Sequence, residues 1–488
     1  MNQNDIFTIA RISLLWDNRL FFLVRLFLFL TLLFMTGVSI TNFTFPSLYL
    51  SILSMLSILE LFFHFGIDGK RPEGGSPTLE AAKAILSSQT TEVFFKTLQG
   101  KKEVQFLLER VGIQKSELII APGFTFDQIL VKAEEIAAKQ NRGYVYSLYL
   151  FVAMLLLSEP KTKLLFKKEL KEEDLLHIVH WTQYHFGPRE IWTIPRMTHW
   201  GRGIGDDWVT GWTLETKKYT SDLTDKVVGS PPVLIERENE FQHLIEAMKK
   251  SERKNVLLVG PPGVGKTSII KYIAYQSFLG TLPKELSHRR ILELLTGSLL
   301  AGAESQGKLE ERMRDMFEEL SHSRDVILYL PEIQNVVGGG GRKFDMSGVL
   351  LQALRTSDLV VLGTITPENY KTFIEPLTSF AQLFETIVIE EPDAHEALRM
   401  LEEKAVLLEK KHKVVFTYTS LQVAVSLAKK YVPYRALPGK AIELLDEVAT
   451  KTALSGKKGI EKEDIVTLIE EKTKVPIGEP KEAERKTL

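Results

Sequence analysis

Eight residues, GPPGVGKT from Gly260 to Thr267, place glycines, a lysine and a threonine at the G-x-x-x-x-G-K-T spacing. Each residue type there has work to do on a polyphosphate. Glycines let backbone N–H groups turn toward the anion, the Lys266 ammonium reaches the β and γ phosphates, and the Thr267 hydroxyl is offered to magnesium. The cradle runs through Gly260, Pro261, Pro262, Gly263, Val264, Gly265, Lys266, Thr267 and Ser268, and its ligands are ATP and Mg, with Thr267 on the metal. Downstream, VILYLPEIQNVV (326–337) reads as a buried strand running into a turn. A nucleotide-hydrolysing protein usually ends that strand in Asp-Glu. Here the pair is Pro331-Glu332. A proline cannot ligate metal and also lacks a backbone donor.

These residues need a scaffold, and the pattern around them supplies one. From 233 onward apolar runs alternate with helical stretches: NVLLVG (255–260), RRILELL (289–295), DVILYL (325–330) and LVVLGTI (359–365). Near-continuous apolar strands between helices predict a parallel sheet covered on both faces. The stretch 393–472 is helical throughout. The phosphate loop then sits directly after a strand and before a helix, the context its chemistry requires.

The first half of the chain is different. Leu26 to Leu59 holds no charged residue and no histidine. As one helix it would be about 50 Å long, beyond the ~30 Å of a hydrocarbon core. Pro46 is a natural break, so two transmembrane helices are expected near 20–40 and 47–65, within a membrane hairpin over 1–70. Arg11, Arg19 and Arg25 precede the first span and Lys70 and Arg71 follow the second, which puts both ends in the cytoplasm. Residues 66–78 read as a Gly/Pro-rich linker. Residues 78–180 are helical in pattern, with FLLERVGIQKSEL (106–118) echoed by KLLFKKELKEEDL (163–175). The apolar run near 147–157 is short for a span and reads as a buried core helix. Five of six tryptophans, Trp181, Trp192, Trp200, Trp208 and Trp212, fall in 181–230. They read as a clamp packing a connector, the alternative being a peptide-binding aromatic surface. The 488 residues carry a net charge of -1 and no cysteine, which excludes thiol chemistry and disulfides and gives no sign of a nucleic-acid partner.

Residues 233–475 resemble the first ATPase module of the Clp/ClpB-type AAA+ unfoldases. The resemblance rests on GPPGVGKT, LLAGAESQGKLEERM (299–313), LPEIQNVVGGGG (330–341), LGTITPENYKTFI (362–374), IEEPD (389–393) and RALPGKAIELLDEVA (435–449). The repeat at 78–180 is similar to that family's substrate-recognition N-domain, and GWTLETKKYTSDLT (211–224) to its connector. The implied organisation is a membrane hairpin (1–70), a Clp N-like all-α repeat domain (78–180), a Trp-rich connector (181–230), an α/β nucleotide-binding domain (231–392), a helical lid (393–475) and a tail (476–488). The resemblance gives Glu332 the water-polarising role and Thr366 the polar sensor position. It places Leu437 to Lys440 at the start of a nucleotide-touching lid helix and Val233 to Arg237 near the adenine.

Three departures stand out against that family. Pro331 replaces the metal-positioning aspartate. Gln382 and Leu383 fall where paired arginine fingers are expected, and no Lys or Arg occurs from 372 to 398. Ser305 stands where a pore-loop aromatic would grip a threaded chain. The expectation is therefore a membrane-anchored, ATP-binding subunit that assembles into a homo- or hetero-oligomeric ring but hydrolyses weakly. It would act on protein substrates or with a separate Clp-type chain, and sit in the cell membrane as a multi-pass protein with its module in the cytoplasm. With no second module in the sequence, direct peptidase docking is not expected. The competing readings are an active unfoldase for membrane-proximal proteins and an ATP-bound scaffold.

Overall fold

The computed structural model describes residues 6–8, 10–11, 24, 26–34, 52, 54–55, 57, 76–88, 90–115, 118, 124–140, 142–158, 170–186, 213–229, 231–250, 254–301, 305–323, 326–338, 345–356 and 359–477. Contacts divide the chain into two units, 1–187 with 417–419, and 188–416 with 420–488. Among the described residues no helix is long and apolar enough to cross a membrane. The expected spans near 20–40 and 47–65 fall largely outside those residues.

The first unit is built of helices whose starts are written in threonine. Its elements are β1 (Ser76–Pro77), α1 (Leu79–Ser87), α2 (Thr91–Gln99), α3 (Lys102–Val111), α4 (Phe126–Lys139), β2 (Tyr144–Val145), α5 (Ser147–Leu157) and α6 (Glu172–Phe186). Thr78, Thr90 and Thr125 accept backbone N–H groups at the N-termini of α1, α2 and α4, satisfying donors that a helix leaves free. The apolar helix α5 is buried from Ser147 to Leu155, as a core helix should be, and packs on α4, α2 and α1. The Tyr149 hydroxyl donates to Gln183 at 2.8 Å, and burial pushes its pKa up to about 12. Trp181 is buried on α6, with the Arg110 guanidinium 4.4 Å above its ring and 4.1 Å above that of Phe106. This tryptophan belongs to the core of the first unit; Trp192, Trp200, Trp208 and Trp212 lie outside the described residues. So do residues 163–169 of the second repeat copy.

The second unit begins with α7 (Leu214–Tyr219), β3 (Thr220–Asp222), α8 (Leu223–Val228) and α9 (Glu238–Met248). Then follow β4 (Asn255–Val259), α10 (Lys266–Leu279), β5 (Arg290–Leu294), α11 (Thr296–Leu300), α12 (Gln306–His322), β6 (Val326–Leu330), α13 (Ser347–Thr356), β7 (Val360–Ile365) and β8 (Phe384–Val388). The six strands form one sheet in the order β3-β5-β6-β7-β4-β8. Side chains alternate between two cores. Val256, Leu258, Ile327, Tyr329 and Leu362 enter one, while Leu257, Val259, Leu328, Leu330 and Val361 enter the other. Burial on both faces explains the continuous apolar runs.

The sheet is mixed, which corrects the wholly parallel sheet expected from sequence. Strands β4 to β8 are parallel, but β3 joins the edge antiparallel to β5. That strand comes from the stretch read as connector. It is tied down by side chains: Glu319 accepts from the backbone of Glu215 and Thr216 at 2.9 and 2.8 Å, and Asp222 pairs with Arg290 at 2.8 Å. A three-residue strand with threonine, serine and aspartate carries no apolar alternation, and its role as a cover for the β5 edge is set by tertiary contacts. Strand β8 was not singled out either, because its Glu385 and Thr386 interrupt the apolar run that an edge strand needs on one face only.

The final part is helical: α14 (Ala394–His412), α15 (Tyr418–Tyr431), α16 (Gly439–Leu454) and α17 (Lys462–Thr473), with the short pair β9 (Val415–Phe416) and β10 (Gly459–Ile460). Asp393 starts α14 through a capping box with Glu396.

Candidate functional site

Strand β4 is the point where the sheet order reverses, since β5 to β7 lie on one side of it and β8 on the other. In open α/β sheets the crevice outside the carboxyl ends of the strands at such a point is where ligands bind. Gly260 follows β4, Pro331 and Glu332 follow β6, and Thr366 follows β7, so all three groups of expected site residues stand at neighbouring strand tips. Gly260 N–H donates to Ile365 C=O at 3.1 Å, fastening the loop to the tip of β7.

The loop itself needs its glycines. Gly263 and Gly265 have φ of +87° and +107°, a region L side chains rarely adopt. A Cβ on Gly260 would sit 2.6 Å from the Ile389 carbonyl oxygen. Lys266, Thr267 and Ser268 form the first turn of α10, whose positive dipole end lies at the loop. Lys266 Nζ donates to the Gly260 and Pro261 carbonyls at 2.6 and 2.9 Å. Burial lowers its pKa to about 8, offset in part by the Glu332 carboxylate. Such a cation is desolvated and held at the mouth of a backbone cradle, which suits an anion carrying several negative charges.

Glu332 is exposed and occupies the left-handed region with φ of +50°, just past the strand, where Asn335 Nδ2 donates to its carboxylate at 3.1 Å. Its backbone N–H donates to Thr364 Oγ1 at 3.3 Å. Thr366 spends its hydroxyl as the cap of the short turn Pro367–Asn369, accepting from Asn369 N–H at 3.3 Å. A magnesium ion would find Thr267, waters and phosphate oxygens here. Among the described residues no group of three or more His, Asp or Glu is placed to hold a metal. Magnesium tolerates that, since it keeps several waters and is commonly held by one or two protein groups plus substrate phosphates.

The lid closes directly on the loop. Ala436 N–H donates to the Pro262 carbonyl at 3.0 Å and Gly439 N–H to the Gly263 carbonyl at 3.1 Å. Glu391 secures this entrance by accepting from Leu437 N–H at 2.7 Å and pairing with Lys440 at 3.2 Å. Arg237, buried, donates to the Glu390 carbonyl at 2.8 Å and pairs with Glu240, which fixes the start of α9 beside the same segment. The two glycines meet backbone to backbone: a Cβ at position 439 would lie 2.7 Å from Gly263 Cα and 2.8 Å from its oxygen. Gly439→Ala is therefore expected to cost about 1–3 kcal/mol by forcing lid and loop apart. A denaturant midpoint unchanged by this substitution would show that the two glycines do not meet as described.

The expected departures have structural accounts of their own. Ser305 caps α12, its hydroxyl accepting from Lys308 N–H at 3.4 Å, so the position serves a helix start; residues 302–304 beside it lie outside the described ones. Gln382 is exposed, but the Leu383 side chain packs against the sheet core and its carbonyl accepts from Asn255 Nδ2 at 3.4 Å. Of the two finger positions, 382 is exposed and 383 half-buried. Sequence reasoning missed Tyr329 and Thr364. Their signal was a hydroxyl inside each of two otherwise aliphatic strands that flank one another.

Comparison with known proteins places the same residues in one family. Residues 256–388 match the model of the AAA family, ATPases associated with various cellular activities, and 393–487 match the AAA lid domain. The chain is 36% identical over 235 residues to chaperone protein ClpB 2 of Parasynechococcus marenigrum, a match covering 48% of this chain and 26% of the relative. It is 31% identical to the negative regulator of genetic competence ClpC/MecB of Bacillus subtilis, covering 48% of this chain and 28% of that protein. The chain thus spans about a quarter of the length of the curated relatives it matches. Among solved structures it is similar to the ADP complex of S. cerevisiae Hsp104, with a TM-score of 0.51 and 28% identity over 55% of this chain and 48% of that one. The α/β fold and the helical lid agree with these matches: residues 256–388 match the AAA ATPase model and 393–487 its lid model, and this part of the chain is similar to ATPases of the Clp/ClpB type.

Proposed function

We propose that this chain is a membrane-anchored, ATP-binding Clp-type chaperone or unfoldase subunit, assembling as a ring through its nucleotide site and hydrolysing ATP slowly. The observation that carries it is the set of strand tips. A glycine loop with two positive-φ turns, a desolvated Lys266 and the exposed Glu332 converge at the sheet's reversal point, with Pro331 where a second carboxylate would steady a metal. The lid amides on the loop carbonyls give nucleotide a direct mechanical route into the helical part. Relatives support the class of partner, since a matched Hsp104 structure holds casein.

Membrane anchoring rests on the uncharged stretch 26–59 and on the described helical residues 26–34, where Phe27, Leu30, Leu33 and Phe34 are each more than half exposed. An apolar helical surface of this kind asks for a lipid or protein cover. With arginine and lysine only on the outer flanks, the module faces the cytoplasm. The test is fractionation. The full chain should stay with membranes after a carbonate wash, and a chain beginning near Pro77 should be soluble. A shortened chain that still pellets would refute the anchor.

A further inference from the structure

Just before α9 the backbone suits a glycine, yet the residue is a glutamate. Glu236 has φ of +55°, in the left-handed region that is unfavourable for a residue with a Cβ. A glycine would rest there unstrained, so what glutamate adds is its carboxylate. That carboxylate reaches the lid, where Arg399 on α14 donates to it at 2.5 Å. Glu396, three residues back on the same helix and an easy local partner, is engaged instead in the capping box with Asp393.

We propose that Glu236 and Arg399 form a latch that keeps the lid on the phosphate loop and so sets how fast nucleotide leaves. This rests on the nucleotide reading above. Residues 389–393 are the hinge between β8 and α14, and Arg237, next in sequence to Glu236, donates to the Glu390 carbonyl at 2.8 Å. Consecutive residues therefore hold the lid helix and its hinge. The hinge itself lies on the loop, with the Ile389 carbonyl oxygen 2.6 Å from where a Gly260 Cβ would sit. Leu234 packs on the core that contains Val264 of the loop and Ala436 of the lid. Arg399 lies six residues beyond the cap Asp393, about 9 Å along α14. The helix cannot swing about its hinge without parting the pair or dragging the segment that leads into α9. Parting it lets the lid lift, and with it the Ala436 and Gly439 amides that bond the loop carbonyls. The side chains of Arg399 and Glu236 are 41% and 27% exposed, so the latch is weak and salt-sensitive, as a contact that must open repeatedly requires.

The test measures release. The full-length protein is loaded with fluorescent N-methylanthraniloyl ADP, and the signal is followed after mixing with excess unlabelled ADP. Glu236→Gln and Arg399→Gln should each speed release about two- to fivefold, the range an exposed ion pair commands. The double variant should be no faster than either single one, because both changes remove one interaction. Exchanging the pair, Glu236→Arg with Arg399→Glu, should restore slow release. Glu236→Gly separates the latch from the fold: glycine suits the left-handed backbone, so the unfolding midpoint should hold or rise while release still quickens. Unchanged release in both glutamine variants overturns the proposal. So do additive effects in the double variant, or a Glu236→Gly midpoint that falls in step with faster release, which marks structural support alone. A wild type that takes up no labelled nucleotide overturns the nucleotide reading, and this inference with it.

Discussion

The protein, assembled as purified, is expected to bind ATP yet turn it over at least a hundredfold more slowly than the ~1 to 10 per second ordinary for enzymes. Phosphoryl transfer depends on positioning and on compensating the charge of the transition state, and an arginine finger alone is worth about 10³ to 10⁵ in rate. Here the strand tip offers Pro331, which cannot steady a metal's water shell, beside an exposed Glu332 held by Asn335. No lysine or arginine occurs from 372 to 398 to stand opposite. Pro331→Asp alone should recover little. Adding Gln382→Arg should recover more, because position 382 is exposed at the head of β8 and metal and finger act on one transition state. Leu383→Arg should add instability instead of rate, since that half-buried side chain packs against the sheet core. A steady-state assay on these variants decides the matter. A brisk wild-type rate would mean that another group supplies the charge.

Where the chemistry itself dictates residue type and spacing, the sequence was readable. The loop from Gly260 to Thr267 is constrained by backbone conformation, and the positive φ of Gly263 and Gly265 is the structural face of that constraint. Four of the sheet strands were equally plain, because burial writes a near-continuous apolar run, broken in β5 only by the half-buried Arg290 and Glu293. Elements fixed by partners distant in sequence were not. Strand β3 owes its place to Glu319, Arg290 and the β5 edge, none of which is visible from TSD. That Ser305 caps a helix and that Leu383, half-buried, packs against a core are roles that spacing alone does not show. A hydroxyl in an apolar strand, as at Tyr329 and Thr364, signals a buried polar link, but only the sheet order tells which strand answers it.

Lys266→Ala should weaken ATP binding at least tenfold, on the order of 1.4 kcal/mol or more, because it removes the side-chain cation the loop directs at the β and γ phosphates. The lysine's own titration gives this prediction a second, sharper form. In the free protein burial holds its pKa near 8, against an ordinary 10.5. A bound polyanion favours the ammonium, so above pH 8 binding must be accompanied by proton uptake. Wild-type affinity should therefore be flat below neutrality and fall about tenfold from pH 7 to 9. The Lys266→Ala curve should stay level over that range, so the two converge as pH rises. Unfolding cannot mimic this. A lysine whose folded pKa lies below its unfolded value costs stability while both states are charged, and that cost shrinks as pH climbs from 8 toward 10.5. The fold thus gains in the window where nucleotide is lost. Equal affinities for wild type and Lys266→Ala at pH 7 would remove the nucleotide site. A wild-type curve that stays flat to pH 9 would show instead that the ammonium is charged in the free loop, and that the Gly260 and Pro261 carbonyls outweigh its burial.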